Sequence, residues 1–185
     1  MMGQICMLGK KKFNALCFMR RYFRFLSPAR RLELFPPLWL MGVKVLELDD
    51  DFRRARFLLP LNWKSRNMGN HMFGGNQASL ADPVAAMACV HLFPEYRVWT
   101  RRLTVDFKHP GATDLELRFE FPPALEAKVR DELAMRGRSN PEFEYGYYLA
   151  DGTRCTWIRC TVAIREEGFR RKTGIAPRID GPPEK

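Results

Sequence analysis

Asn67 to Asp82 reads NMGNHMFGGNQASLAD. This stretch sets amides, an imidazole, a glycine pair and one carboxylate on a loop that enters an apolar run. Gly74-Gly75 removes the Cβ atoms where a backbone must come close to a ligand. A helix starting there aims free N–H groups at whatever lies in front of it, which suits a polarised carbonyl or an anion. Leu80, Val84, Met87 and Ala88 follow at helical spacing and predict a helix over residues 76–92, barred from extension by Pro94. Two starts fit. With Asp82 as N-cap and Pro83 at the first helical position, the helix is residues 83–92 and the carboxylate only caps it. With a start near Gly75, Pro83 lies inside the helix, at the cost of a bond to Ser79 and a kink. Asp82 then stands about two turns past the glycines, free for chemistry.

Working outward, residues 43–48 and 52–61 read as two strands joined by the acidic turn Asp49-Asp50-Asp51. Past the helix, Leu103, Val105 and Phe107 share one face of a strand. His109-Pro110-Gly111 turns, and Leu115, Leu117, Phe119 and Phe121 alternate with charged residues as in a half-buried strand. Residues 123–136 switch to helical spacing, with Leu125, Val129 and Leu133 on one side and Gly137 as the stop. A hairpin ends the pattern: Phe143, Tyr145, Tyr147 and Leu149, the turn Asp151-Gly152, then Ile158, Cys160, Val162 and Ile164. One long helix, a shorter inserted helix and a mostly antiparallel sheet make an α+β layer structure.

The net charge of +10 belongs to one end of the chain. Residues 1–31 carry eight basic residues and no acidic one. Of 31 basic residues, 23 are left against 21 acidic ones in the rest. A nearly neutral body is not the footprint of a nucleic-acid binder. Residues 12–26 predict an amphipathic helix, with Arg20, Arg21 and Arg24 opposite an apolar face, and Ser27-Pro28 offers a stop or a turn. That helix reads as packing on the domain or on a second subunit; the rarer reading is peripheral contact with an anionic membrane through residues 10–31. Residues 1–35 are thus read as a basic arm, 36–166 as the domain and 167–185 as a polar tail.

Five cysteines, none in C-x-x-C spacing, and histidines that complete no zinc pattern predict reduced thiols, no metal and a cytoplasmic protein. No run has the apolar length of a membrane span, and no signal peptide is expected.

The chain resembles the hotdog-fold thioesterase superfamily, nearest the phenylacetate-pathway (PaaI-like) acyl-CoA thioesterases. The resemblance covers residues 36–166. It is carried by Asn67, Phe73-Gly74-Gly75, Ser79-Leu80-Ala81-Asp82-Pro83, Tyr96-Arg97-Val98-Trp99, the strand ending in Lys108-His109-Pro110-Gly111, and the Asp151-Gly152 hairpin. It implies a sheet wrapped around the long helix, two subunits joined sheet edge to sheet edge as a dimer or tetramer, and active sites at their interface. It implies an acyl-CoA or other acyl thioester as substrate, with no cofactor beyond the coenzyme A of that substrate. Relatives often carry His-Gly-Gly at the helix start and an acidic residue nine positions after the His. Here Phe73 holds the His position and Asp82 the acidic one.

On that resemblance the catalytic residues are Asp82, as general base or nucleophile, Asn67, which holds the water, and Gly75, whose N–H faces the thioester carbonyl. Donors aimed at the tetrahedral oxyanion are worth about a hundredfold in rate, roughly 3 kcal/mol. Gly74, Phe73, His71, Asn70, Thr100 and Arg101 line the substrate. Beside these roles stand plainer ones: Asn70 as a turn residue, Arg101 as part of a solvated face, and Cys89, His91 and His109 as structural. A non-catalytic acyl-binding module on the same fold is the alternative that Phe73 suggests.

Overall fold

The computed structural model describes residues 26–166. The amphipathic helix expected over residues 12–26 and the polar tail lie outside them, apart from Leu26. Ser27-Pro28 starts a helix. Ser27 Oγ accepts from Arg30 N at 3.3 Å, and Pro28, with no N–H to satisfy, opens α1 (Pro28–Glu33). Pro36-Pro37 opens a second short helix, α2 (Pro36–Met41), which ends on Gly42 at φ +73°.

The sheet follows from the alternation read above. β1 (Lys44–Leu48) and β2 (Arg54–Leu59) form a hairpin. Next come the long helix α3 (Gly74–Leu92), β3 (Arg97–Phe107), β4 (Leu115–Glu120), the inserted helix α4 (Pro123–Arg136), the two-residue β5 (Arg138–Ser139), β6 (Glu142–Tyr148) and β7 (Arg154–Arg165). The strand order is β1-β2-β4-β6-β7-β3, with β5 against β7, and every pairing is antiparallel. The sheet is open, with β1 and β3 as its edges.

Phe57, Leu117, Tyr147, Ile158 and Val162 turn inward from four strands and are fully buried, with Leu80, Ala81, Val84, Ala85 and Ala88 of α3 against them. Small residues on the inner face of α3 let the helix lie close to the sheet. One long helix enclosed by an antiparallel sheet is the hotdog arrangement that the resemblance implies.

At the far edge, Glu33 Oε1 accepts the Val45 N–H at 3.0 Å and ties α1 to β1. Arg53 grips Glu126 of α4 through two bonds, at 2.8 and 2.9 Å, so the inserted helix is fastened to the strand beside it.

Candidate active site at the start of the long helix

α3 runs unbroken from Gly74 to Leu92 with Pro83 inside it, which excludes the shorter helix capped by Asp82. The Asp82 side chain is exposed and bonds to no group among the described residues.

The loop before the helix is held by its own backbone. Asn67 Oδ1 accepts from the N–H of Gly69 at 2.9 Å and of His71 at 3.1 Å, and Asn67 N donates to the His71 carbonyl at 2.8 Å. Asn70 closes this turn at φ +61°, a conformation that asparagine tolerates. Met72 N then donates to Gly111 O at 2.8 Å, and Phe73 N to Ser65 O at 2.7 Å. A Cβ on Gly111 would stand 2.8 Å from Met72 Cβ, so the His109-Pro110-Gly111 turn can underlie the loop only with glycine there.

Asn76 and Gln77 both donate to the Phe73 carbonyl, at 3.1 and 3.4 Å. The N–H groups of Gly74 and Gly75 find no acceptor among the described residues, as expected of the first turn of a helix. Two half-exposed rings flank them. The Phe73 ring lies across Gly75, where a Cβ would be 2.3 Å from Cε1, and the Phe107 ring lies 3.1 Å from the Cβ position of Gly74. The result is a pair of free donors, at the positive end of a helix, between aromatic walls.

Hydroxyl groups of the sheet fix the helix above those donors. Tyr147 donates to Gln77 O at 2.6 Å, Tyr145 to Ala81 O at 2.7 Å and Thr100 to Asp82 O at 2.9 Å. Thr156 donates to the buried Gln77 Oε1 at 2.7 Å. Burial pushes the Tyr145 and Tyr147 phenols well up, so both remain donors at any ordinary pH. Burial also raises the Cys160 thiol, and the nearby negative charge of Asp82 adds to the rise.

The predicted residues fall into groups. Phe73, Gly74 and Gly75 come together at the helix start, and Thr100 meets Asp82 through its backbone. Asn67, Asn70 and His71 share the loop turn. Arg101 sits at a β-bulge between Thr100 and Arg102, and its Nη1 lies 3.4 Å from Asn140 Oδ1, so the structure directs it away from the helix. Gly75 and Asp82 lie on one face of α3 but about 10 Å apart along its axis.

The sequence reading missed Phe107, Gln77, Tyr145, Tyr147 and Thr156 as parts of this site. Two tyrosines on the inward face of β6 were the available signal, since a buried phenol needs a partner. No group of three or more His, Cys, Asp or Glu among the described residues could hold a metal. No helix among them is long and apolar enough to cross a membrane. A depression of about 290 Å³ on the opposite face of the sheet, between Asp106, Lys108, Glu144 and Trp157, is separate from this site.

Three solved structures show the same fold. PA5026 of Pseudomonas aeruginosa, described as of unknown function and a probable thioesterase, aligns with a TM-score of 0.68 at 15% identity, over 75% of this chain and 93% of its own. The Haemophilus influenzae thioesterase HI1161 aligns with a TM-score of 0.57 at 10% identity, over 76% and 92%. The Escherichia coli PaaI protein, from the phenylacetic acid degradation operon, aligns with a TM-score of 0.55 at 17% identity, over 75% and 90%. No curated protein matches the chain. The family described as "Domain of unknown function (DUF4442)" matches residues 26–164. The chain belongs to that family, and its fold is the hotdog fold of the thioesterases it resembles.

Proposed function

We propose that this protein binds and hydrolyses an acyl thioester, such as an acyl-CoA, at the start of α3, with the site completed by a second copy of the chain. The observation that carries this reading is the helix itself. By beginning at Gly74 and running through Pro83, it leaves two backbone donors free at one end and an unbonded carboxylate two turns later.

The thioester oxygen accepts from the Gly75 N–H, with Gly74 beside it, and the developing oxyanion gains from the helix dipole. Asp82 takes the proton of the attacking water, or attacks the carbonyl itself to form an acyl-enzyme that water then hydrolyses; in either case the C–S bond breaks and the thiolate leaves. Asn67 and His71 present the loop's polar groups to the water, while Asn70, Phe73 and Thr100 line the acyl end. Arg101 meets the coenzyme A portion only by leaving Asn140.

The axial separation of about 10 Å between Gly75 and Asp82 is too great for one carbonyl to touch both in one chain. It favours a site in which the carboxylate comes from the second subunit. β3 supports such pairing. It is an eleven-residue edge strand bonded on one side only among the described residues, with Trp99 and Phe107 half exposed.

Release of free thiol from a panel of acyl-CoAs tests the proposal. Asp82→Asn should lose at least about a hundredfold in kcat. Equal rates in the two proteins would remove Asp82 from catalysis. The ring of Phe73 across Gly75 favours a second reading, a non-catalytic acyl-binding module; tight binding of acyl-CoA with no thiol release would establish it.

A further inference from the structure

The outer face of the sheet carries a concave site that the thioester reading does not use. Asp106, Trp157 and Gly146 stand side by side across β3, β7 and β6, and Arg159 and Glu144 face each other in the next row. Gly146 adds no side chain to its row, and Arg154 crosses the gap. A Cβ on Gly146 would stand 2.5 Å from Arg154 Nε. The result is a depression of about 290 Å³ with Arg154 in its wall.

Arg154 is held there before any ligand arrives. Its Nη2 donates to the Tyr145 carbonyl at 2.6 Å, and its guanidinium carbon lies 4.9 Å from the centre of the Trp157 ring and 6.0 Å from that of Tyr148. Its Nε is buried with no hydrogen-bond partner. Arg154 forms no ion pair among the described residues. By contrast, Arg159 is paired with Glu144 at 2.9 Å and Lys108 with Asp106 at 2.7 Å. Two acids and three bases thus line the depression, and the charge left over is that of Arg154. A cation partly withdrawn from water and without a counter-ion is costly, and an anion placed beside it offsets that cost.

We propose that this depression binds a small organic monocarboxylate. Its carboxylate meets the outward N–H groups of Arg154, and its apolar body lies beside the exposed indole of Trp157. One negative charge matches the one positive charge left over. A phosphate dianion brings a second, which Asp106 and Glu144 repel. Pairing of two chains through the backbone edge of β3 leaves these outward side chains uncovered.

Titration of the full chain with butyrate, followed by tryptophan fluorescence, tests this, because the Trp157 ring lies against Arg154. The signal should saturate with a Kd of about 1 mM or below. Butyramide, of the same shape without the charge, should give no saturable change. Arg154→Gln should weaken butyrate binding about tenfold or more. The Glu144 side chain is 66% exposed, so Glu144→Gln removes an acid without touching the core. It should tighten binding about threefold or more. Both residues lie on the face opposite the thioester site, so these shifts do not arise there.

Absence of saturation would overturn the proposal, as would an equal response to butyramide or tighter binding of inorganic phosphate. Displacement by chloride at equal concentration would mean an adventitious ion only. Unchanged affinity in an Arg154→Gln protein that keeps its thermal midpoint would also overturn it. Where that variant loses its fold, Glu144→Gln decides, and unchanged or weaker binding there removes the site.

Discussion

The phenol of Tyr145 on β6 donates to the carbonyl of Ala81 at 2.7 Å, one residue before Asp82 on α3. Apolar packing of small helical residues sets how close α3 lies to the sheet but says little about where it stops along its own axis. Directional bonds from Tyr145, Tyr147 and Thr100 fix that. Tyr145→Phe keeps the ring and removes the bond. It should cost about 1 kcal/mol, read as a lower urea midpoint at unchanged slope. Turnover should fall by more than stability does, because the variant loosens the placement of Asp82.

A methyl group at 75 and one at 146 would meet different neighbours. At Gly75 a methyl group meets the edge of the half-exposed Phe73 ring, which can swing away. At Gly146 it would stand 2.3 Å from the backbone oxygen of Thr156 and 2.5 Å from Arg154 Nε, within a paired strand. Gly146→Ala should therefore destabilise by about 2–3 kcal/mol. Gly75→Ala should stay within about 1 kcal/mol of wild type, since alanine is the better helix former. Its cost should appear in thioester turnover. Paired thermal melts and thiol-release assays separate the two outcomes.

Phe73→His places at the helix start the residue that related thioesterases often carry. The ring is half exposed, so stability should change by no more than about 0.5 kcal/mol. Turnover of a good acyl-CoA substrate should rise by about tenfold or more. An unchanged rate would show that position 73 only walls the site.

Glu116 governs part of the acid limb. Its bonds to Arg118, then to Arg56, hold its carboxyl down to about 2 from an ordinary 4.5, against a burial effect that acts the other way. A carboxylate depressed in the folded state adds stability that is fully present above pH 4.5. That stability is lost as pH falls toward 2. Glu116→Gln should be less stable at neutral pH and should show a shallower decline across that window, measured by urea unfolding at a series of pH values.

Cys89 should be inert in the native protein. Burial pushes its thiol up to about 12, so almost no thiolate exists at pH 7. Alkylation followed by peptide mass mapping should label Cys89 only after unfolding, with Cys155 and Cys160, also buried and raised, behaving alike.

Much of this architecture was legible in the chain because it is written in local patterns. The alternation at Leu115–Phe121, the Asp151-Gly152 turn and the Gly137 stop each state their structure within a few residues. The start of α3 near Gly75 was legible only with the resemblance, because the residues alone left two starts open. Asp82-Pro83 is a good local cap, and what overrides it comes from β3 and β6, through the hydroxyls of Thr100 and Tyr145. Likewise Ser27-Pro28 reads as a stop or a turn, and that it also starts a helix shows only in the bond from Arg30 N. The bulge at Arg101 leaves no mark in the sequence, yet it turns Thr100 to the helix and Arg101 to Asn140. Residue types thus named the helix start as a site, while the spacing that argues for a shared one appeared only once the helix had its true length.

The two edges of the sheet are not equivalent. β1 has five residues, and Glu33 occupies one of its outward N–H groups, whereas β3 has eleven and none of them is covered among the described residues. Strand pairing is thus offered mainly from the β3 side. Two chains pairing through β3 can close on each other about a two-fold axis, while a third is offered only the shorter, partly occupied edge of β1, which disfavours fibre growth through strands.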